Sequence, residues 1–226
     1  STNPKPNTPV SGLPNSDPLS MTGTDWIDEV TRTGMYQNYS LSVSGRDKNN
    51  NYLMSLSYND NEGIMDNTGQ ERISGRVKYT RQLYKWMSMT YNGFYTWRKQ
   101  NPAVTQIGGT SQFRSAQYLS PSISPNDTFN PLEDEGTRFD NPRAVINNTT
   151  YYRINNTATN SLTLDIKPIK GMAIRSQFSY TDLKRSEFKY VSGQLPSKAE
   201  SDGGDATRIE IGETSLSNET TIQYTY

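Results

Sequence analysis

The stretch 49-NNNYLMSLSYND-60 decides how this chain must fold. Tyr52, Met54, Leu56 and Tyr58 share one parity, and Ser55, Ser57 and Asn59 take the other. Alternation with a period of two belongs to an extended strand with one apolar and one polar face. The apolar stripe is short and carries a tyrosine at each end, in a chain that is polar overall.

The same alternation recurs outward from this stretch. Upstream, Tyr39, Leu41 and Val43 alternate with serines and Asn38. Downstream, Ile73, Gly75, Val77 and Tyr79 oppose Arg72, Ser74, Arg76 and Lys78. Met87, Met89, Tyr91, Tyr95 and Trp97 then oppose Ser88, Thr90, Asn92, Thr96 and Arg98, with Phe94 out of pattern. A fifth run holds Tyr152, Ile154, Leu162, Leu164 and Ile166, its apolar side interrupted by Asn156 and Asn160. The sixth holds Met172, Ile174, Phe178 and Tyr180, and the seventh ends the chain with Ile222, Tyr224 and Tyr226. The stretch "TDWIDEV" is too short and too abruptly ended by Gly34 to predict a helix.

Only 31% of the 226 residues are hydrophobic, yet 11% are aromatic, with 15 Tyr against 6 Phe. Rings of this amphipathic kind suit boundaries between oil and water. Lys plus Arg and Asp plus Glu both number 23, so the balanced charge gives no electrostatic case for nucleic acid. The lack of cysteine and histidine excludes thiolate chemistry, Ser-His-Asp triads and His-based zinc sites. No apolar run is long enough for a transmembrane helix.

The connections carry as much information as the strands. The short links "GRDKNNN", "LYK" and "KPIKG" alternate with longer ones near 60–69, 99–150 and 191–206. All tight turns then lie at one end of an up-and-down sheet and all long loops at the other, as in outer-membrane barrels. A tilted strand crosses a bilayer in about 9–11 residues, with its outer face in lipid and its inner face in the lumen. The expected fold is therefore all-β: an antiparallel up-and-down transmembrane β-barrel segment, with residues 1–35 an irregular lead-in and 36–226 about seven strands. Seven strands cannot close an even-stranded barrel, so the chain is expected to be incomplete. A soluble sandwich shares the alternation, but the length of the runs and of the 99–150 interval favours the barrel.

Two stretches carry a resemblance: 24-TDWIDEVTRTGMYQNYSLSVSG-45 and 52-YLMSLSYNDNEGIMDNTGQERISGRVKYTRQLYKWMSM-89. They resemble the start of the barrel in SusC/RagA-type TonB-dependent outer-membrane transporters of Bacteroidetes. Later, 140-DNPRAVINNTTYYRINNTATNSLTLDIKPIKGMAIRSQFSYT-181 is similar to that family's N-P strand pair. The resemblance implies part of a barrel of about 22 strands in the outer membrane of a Gram-negative bacterium. It also implies a non-enzymatic role in importing a bulky nutrient, an oligosaccharide or a peptide. The implied partners are a SusD-like surface lipoprotein, TonB acting through segments outside this chain, the remainder of the barrel and the lipid bilayer. No cofactor is implied.

Parity assigns candidate roles. Tyr52, Met54, Leu56, Tyr58, Val77, Tyr79, Met87, Met89 and Tyr91 are expected to face lipid. Arg72, Arg76, Lys78, Arg153 and Arg175 are expected to face the lumen, lining the substrate path, pairing with carboxylates of a plug, or neutralised by neighbours. Phe113, Tyr118 and Phe129 in the long interval are candidates for stacking on a ligand, contacting the lid or folding the loop on itself. Glu133, Asp134 and Glu135 lack the spacing of a calcium loop. The carboxylates Asp25, Asp28 and Glu29 around Trp26 form a conceivable glycosidase pair, which the resemblance instead assigns to the lead-in of the barrel. The competing readings are a secreted all-β carbohydrate-binding or adhesin module and, more distantly, a glycan hydrolase.

Overall fold

The computed structural model describes residues 23–104, 111–127, 140–195, 198 and 203–225. Seven strands form one antiparallel sheet: β1 (Tyr36–Arg46), β2 (Asn50–Glu62), β3 (Gly69–Tyr84), β4 (Met87–Asn101), β5 (Thr149–Ile166), β6 (Met172–Val191) and β7 (Asp205–Tyr224). Their spatial order is their chain order. Three short helices accompany them: α1 (Trp26–Val30), α2 (Gln112–Tyr118) and α3 (Pro142–Asn147).

The alternation sets the register. Val43 faces Met54, Met54 faces Val77 and Val77 faces Gly93, so each apolar residue of one strand meets the apolar parity of the next. A slip of one residue would turn every side chain of a strand to the wrong face. The face so formed is left uncovered by the described residues: Leu41 is 68% exposed, Leu56 56% and Met54 52%. A soluble sandwich would seal these residues under a second layer.

The buried apolar cluster lies instead among the helices, where Trp26, Val30, Ala116, Leu119 and Ile146 pack together. Two expectations are corrected here. The stretch after Thr24 does form a helix, because the Asp25 carboxylate accepts from the Ile27 and Asp28 amides and caps it. One turn apart, Trp26 and Val30 then enter the same cluster. The 99–150 interval is also not wholly irregular, since β4 runs to Asn101, β5 starts at Thr149, and α2 and α3 lie between.

β7 begins far upstream of the alternation visible in the sequence. Its apolar residues change parity along the strand, Ile209 and Ile211 on one face and Leu216, Ile222 and Tyr224 on the other, so no single stripe shows.

The short turns are held by local polar chemistry. In the β1–β2 turn Asp47 Oδ1 accepts from the amides of Asn49 (2.8 Å) and Asn50 (2.7 Å), and Tyr79 donates to Asn50 Oδ1 at 2.8 Å. Gly171, with φ +85°, closes the β5–β6 turn in a conformation that L side chains resist. The Asn50 side chain first, and the Asn49 and Asn50 amides next, hold the Asp47 carboxyl below the usual carboxylate range. A depressed folded value means that the contribution is complete above the unfolded value and is lost as pH falls through the folded one. Acid titration followed by amide exchange should show the Asn49 and Asn50 amides losing protection in that window, and Asp47→Ala should remove the pH dependence.

Candidate functional site

The sheet has two chemically distinct faces and one elaborated end. On the apolar face the row Leu41, Leu56, Gly75, Tyr95 and Ala158 continues across β6 and β7 into Asp182 and Thr214. Nearer the short-turn end, Met87, Ile166, Ile174 and Ile222 form a row that stays apolar through β7. The apolar band therefore runs obliquely to the hydrogen-bonded rows, descending from β1 to β7. Strands tilted in a barrel produce this obliquity, because a level membrane cuts successive strands at shifted positions.

Tyr52 and Tyr58 by themselves are too close to mark both edges of that band. Six residues cover about 20 Å along a strand, less than the roughly 25 Å apolar height even before tilt is applied. The height is completed by the staggered neighbours, as from Met87 to Trp97 on β4. The asparagines that interrupt β5 are satisfied within this face: the hydroxyl of Tyr91 donates to Asn160 Oδ1 at 2.7 Å and that of Tyr95 to Asn156 Oδ1 at 3.2 Å. The Tyr52 and Tyr91 rings lie over Gly45 and Gly93 and close the gaps there, whereas the space above Gly75 is open. A shallow apolar trough of about 450 Å³ results, lined by Leu41, Met54, Leu56, Val77 and Tyr95 among others.

The opposite face is polar and carries the five cations selected by parity. Arg175 Nε pairs with Asp165 Oδ1 at 2.8 Å, near the short-turn end. Arg153 Nε pairs with Glu187 Oε2 at 3.0 Å, and Tyr151 donates to the other oxygen of Glu187 at 2.7 Å. The Arg76 guanidinium lies 5.7 Å from the Phe94 ring centroid. This contact explains the apparent misfit of Phe94, which stands on the polar parity as a platform for that cation. Among the described residues Arg72 and Lys78 make no hydrogen bond, ion pair or ring contact. Three further members were legible by parity but not selected: Arg98, Arg185 and Glu187 share this face, and Arg185 completes an Arg–Glu–Arg group with Glu187 and Arg153.

At the long-loop end the helices form a small folded unit. Trp26 Nε1 donates to the Ser120 carbonyl at 3.0 Å. Arg143 Nη1 donates to the Glu29 carbonyl (2.8 Å) and to Asp66 Oδ2 (2.9 Å), tying α3 to α1 and to the β2–β3 loop. Asn141 caps α3 and donates to the carbonyls of Pro125 and Asp127. α2 buries Gln112, Ser115 and Ala116 and turns Phe113 and Tyr118 outward, 37% and 65% exposed, with Arg114 5.8 Å from the Tyr118 ring centroid. Phe129, Glu133, Asp134 and Glu135 lie outside the described residues. Asp25 is committed to capping α1. Among the described residues no acidic group gathers as a metal site would require.

No family model matches the chain. TonB-dependent receptor P26 of Formosa agariphila is 25% identical over 211 residues, which is 92% of this chain and 21% of that protein. TonB-dependent receptor SusC of Bacteroides thetaiotaomicron is 30% identical over 67 residues, 30% of this chain and 7% of that one. Among solved structures, the RagAB peptide transporter superposes with a TM-score of 0.72 at 17% identity, over 91% of this chain and 24% of the matched chain. The RagAB peptide importer in its open-open state superposes with a TM-score of 0.66 at 18% identity, over 88% of this chain and 23% of that one. The chain thus spans about a fifth of the length of the curated relatives that it matches along most of its own length.

Proposed function

We propose, taking as premise the likeness of this chain to SusC/RagA-type TonB-dependent transporters, that it forms part of the barrel of an outer-membrane nutrient importer. The observation that carries this reading is the apolar face that one parity forms across β1 to β6 and that reaches β7 at Ile222, left uncovered by the described residues, which lipid would satisfy. Residues 36–226 supply barrel strands and residues 1–35 lead into them. Tyr52, Met54, Leu56, Tyr58, Val77, Tyr79, Met87, Met89 and Tyr91 meet the bilayer, while Arg72, Arg76, Lys78, Arg153 and Arg175 face the lumen. The role is transport, without bond-making chemistry in this segment. The nutrient is an oligosaccharide or a peptide, admitted under a SusD-like lipoprotein lid and released inward by TonB acting on the remainder of the protein. The outward side chains Phe113 and Tyr118 on α2 stand at the long-loop end, where such a lid or its cargo would touch the barrel.

Two measurements test this reading. Expressed alone in water, residues 23–226 should aggregate, and should recover strand structure only with detergent or lipid; a monomeric, folded, soluble product would favour the secreted binding module instead. Uptake of a labelled oligomer by cells carrying the intact protein should fall to background when TonB is deleted.

A further inference from the structure

On the lumenal face one hydrogen-bonded row aligns Asn59, Arg72, Arg98, Asn155 and Arg185 across β2 to β6. The next row towards the long loops holds Arg153 and Glu187. Four guanidinium groups thus share a small area with Glu187, and Glu213 stands one row below them on β7. Glu187 is already engaged by Arg153, Arg185 and Tyr151. Arg72 and Arg98 stand directly opposite one another, an arrangement that like charges make unfavourable. Among the described residues neither has a hydrogen bond or an ion pair.

Two further groups of the row are shielded from solvent and lack a partner: Arg185 Nε and Asn155 Nδ2. Both are donors. Together with the guanidinium groups of Arg72 and Arg98, these two shielded donors would be satisfied by a species that accepts hydrogen bonds and carries negative charge. Guanidinium forks match carboxylate and sulfate oxygens two at a time, which a neutral hydroxyl cannot reproduce.

We propose that this row is a lumenal subsite for the carboxylate or sulfate groups of an acidic oligosaccharide on its way through the barrel. Around it, Ser57, Ser74, Thr96 and Thr157 offer the hydroxyl groups that suit a sugar. On β6 and β7 the same face carries Leu183, Ile209 and Ile211 beside the row, so an acidic peptide is the competing cargo that the test has to separate. The inference rests on the importer reading and adds the charge of the cargo to it.

The test uses the intact transporter in detergent and measures equilibrium binding of a hexagalacturonate, a sulfated hexasaccharide, a neutral hexasaccharide and a Glu-rich hexapeptide. The wild type should bind an acidic sugar at least about tenfold more tightly than the neutral one, as expected for one or two charge-assisted contacts. The preference should shrink as salt rises from about 0.05 to 0.5 M. Arg72→Gln with Arg98→Gln should remove that preference, leave the neutral sugar within about twofold, and leave thermal unfolding unchanged; Arg98→Gln alone gives the same readout if the double variant folds poorly.

Equal wild-type affinity for acidic and neutral sugars overturns the proposal, as does tighter binding of the peptide. A double variant that weakens all ligands equally and unfolds earlier overturns it too, since the row would then be neutralised by another part of the protein. In each of these cases TonB-dependent uptake of whichever of the four oligomers binds best would persist, which separates failure of the subsite from failure of the importer reading.

Discussion

Replacing Met54 with arginine should prevent most of the intact protein from reaching its folded, membrane-inserted form. Met54 lies on the uncovered apolar face between Val43 and Val77, toward the middle of the apolar band that the staggered neighbours complete. A cationic side chain on the lipid face near the bilayer midplane costs about 2–4 kcal/mol, a factor of roughly thirty to a thousand in the folded population. The control is one residue away: Ser55 points to the opposite face, and Ser55→Arg should fold almost as well as the wild type. Heat-modifiable electrophoretic mobility of the refolded barrel in vesicles reads both. Equal tolerance of the two substitutions would mean that the parity does not separate lipid from lumen.

The second large effect is expected far from the bilayer. Trp26 is 3% exposed, packs in the cluster with Val30, Ala116, Leu119 and Ile146, and donates its indole N–H to the Ser120 carbonyl. Trp26→Ala should cost the helical unit about 3–5 kcal/mol, the range for removing a buried large aromatic side chain. A cluster with so few apolar members has little to replace that contribution, so the unit should open locally. Limited proteolysis should then cut within 102–148 while the strands remain resistant and heat-modifiable mobility is unchanged. Loss of the whole barrel signal would show instead that the helices and the sheet unfold as one.

The two predictions divide along what the sequence made legible. Six strands and both faces followed from parity, because a strand between lipid and water repeats its chemistry every second residue over a long run. The helices did not show. α1 is only five residues long, and its stability comes from a cap and from Leu119 and Ile146, which are distant in sequence. β7 was only partly legible because Ile209 and Ile211 point to one face and Leu216 and Ile222 to the other.

The polar-face cations Arg72, Arg76, Lys78, Arg153 and Arg175 were selected by parity alone. Parity does not distinguish Arg175, matched by Asp165 across the strand pair, from Arg72, which meets another arginine. That distinction lives in the register, and the register becomes visible only once the turns have fixed which residues stand opposite. Phe94 shows the same limit from the other side, since its place on the polar parity makes sense only beside Arg76.

The obliquity of the apolar band shapes the mouth of the barrel. On β1 the strand ends at Tyr36, only about 10 Å beyond the girdle residue Tyr39, whereas β6 continues from Tyr180 to Val191, roughly 35 Å along the chain. The rim is thus a low sill beside β1 and a tall parapet beside β6 and β7, with the arginine row set into the wall beneath it. On the importer reading, cargo that crosses the sill meets the taller β6 and β7 strands from the side.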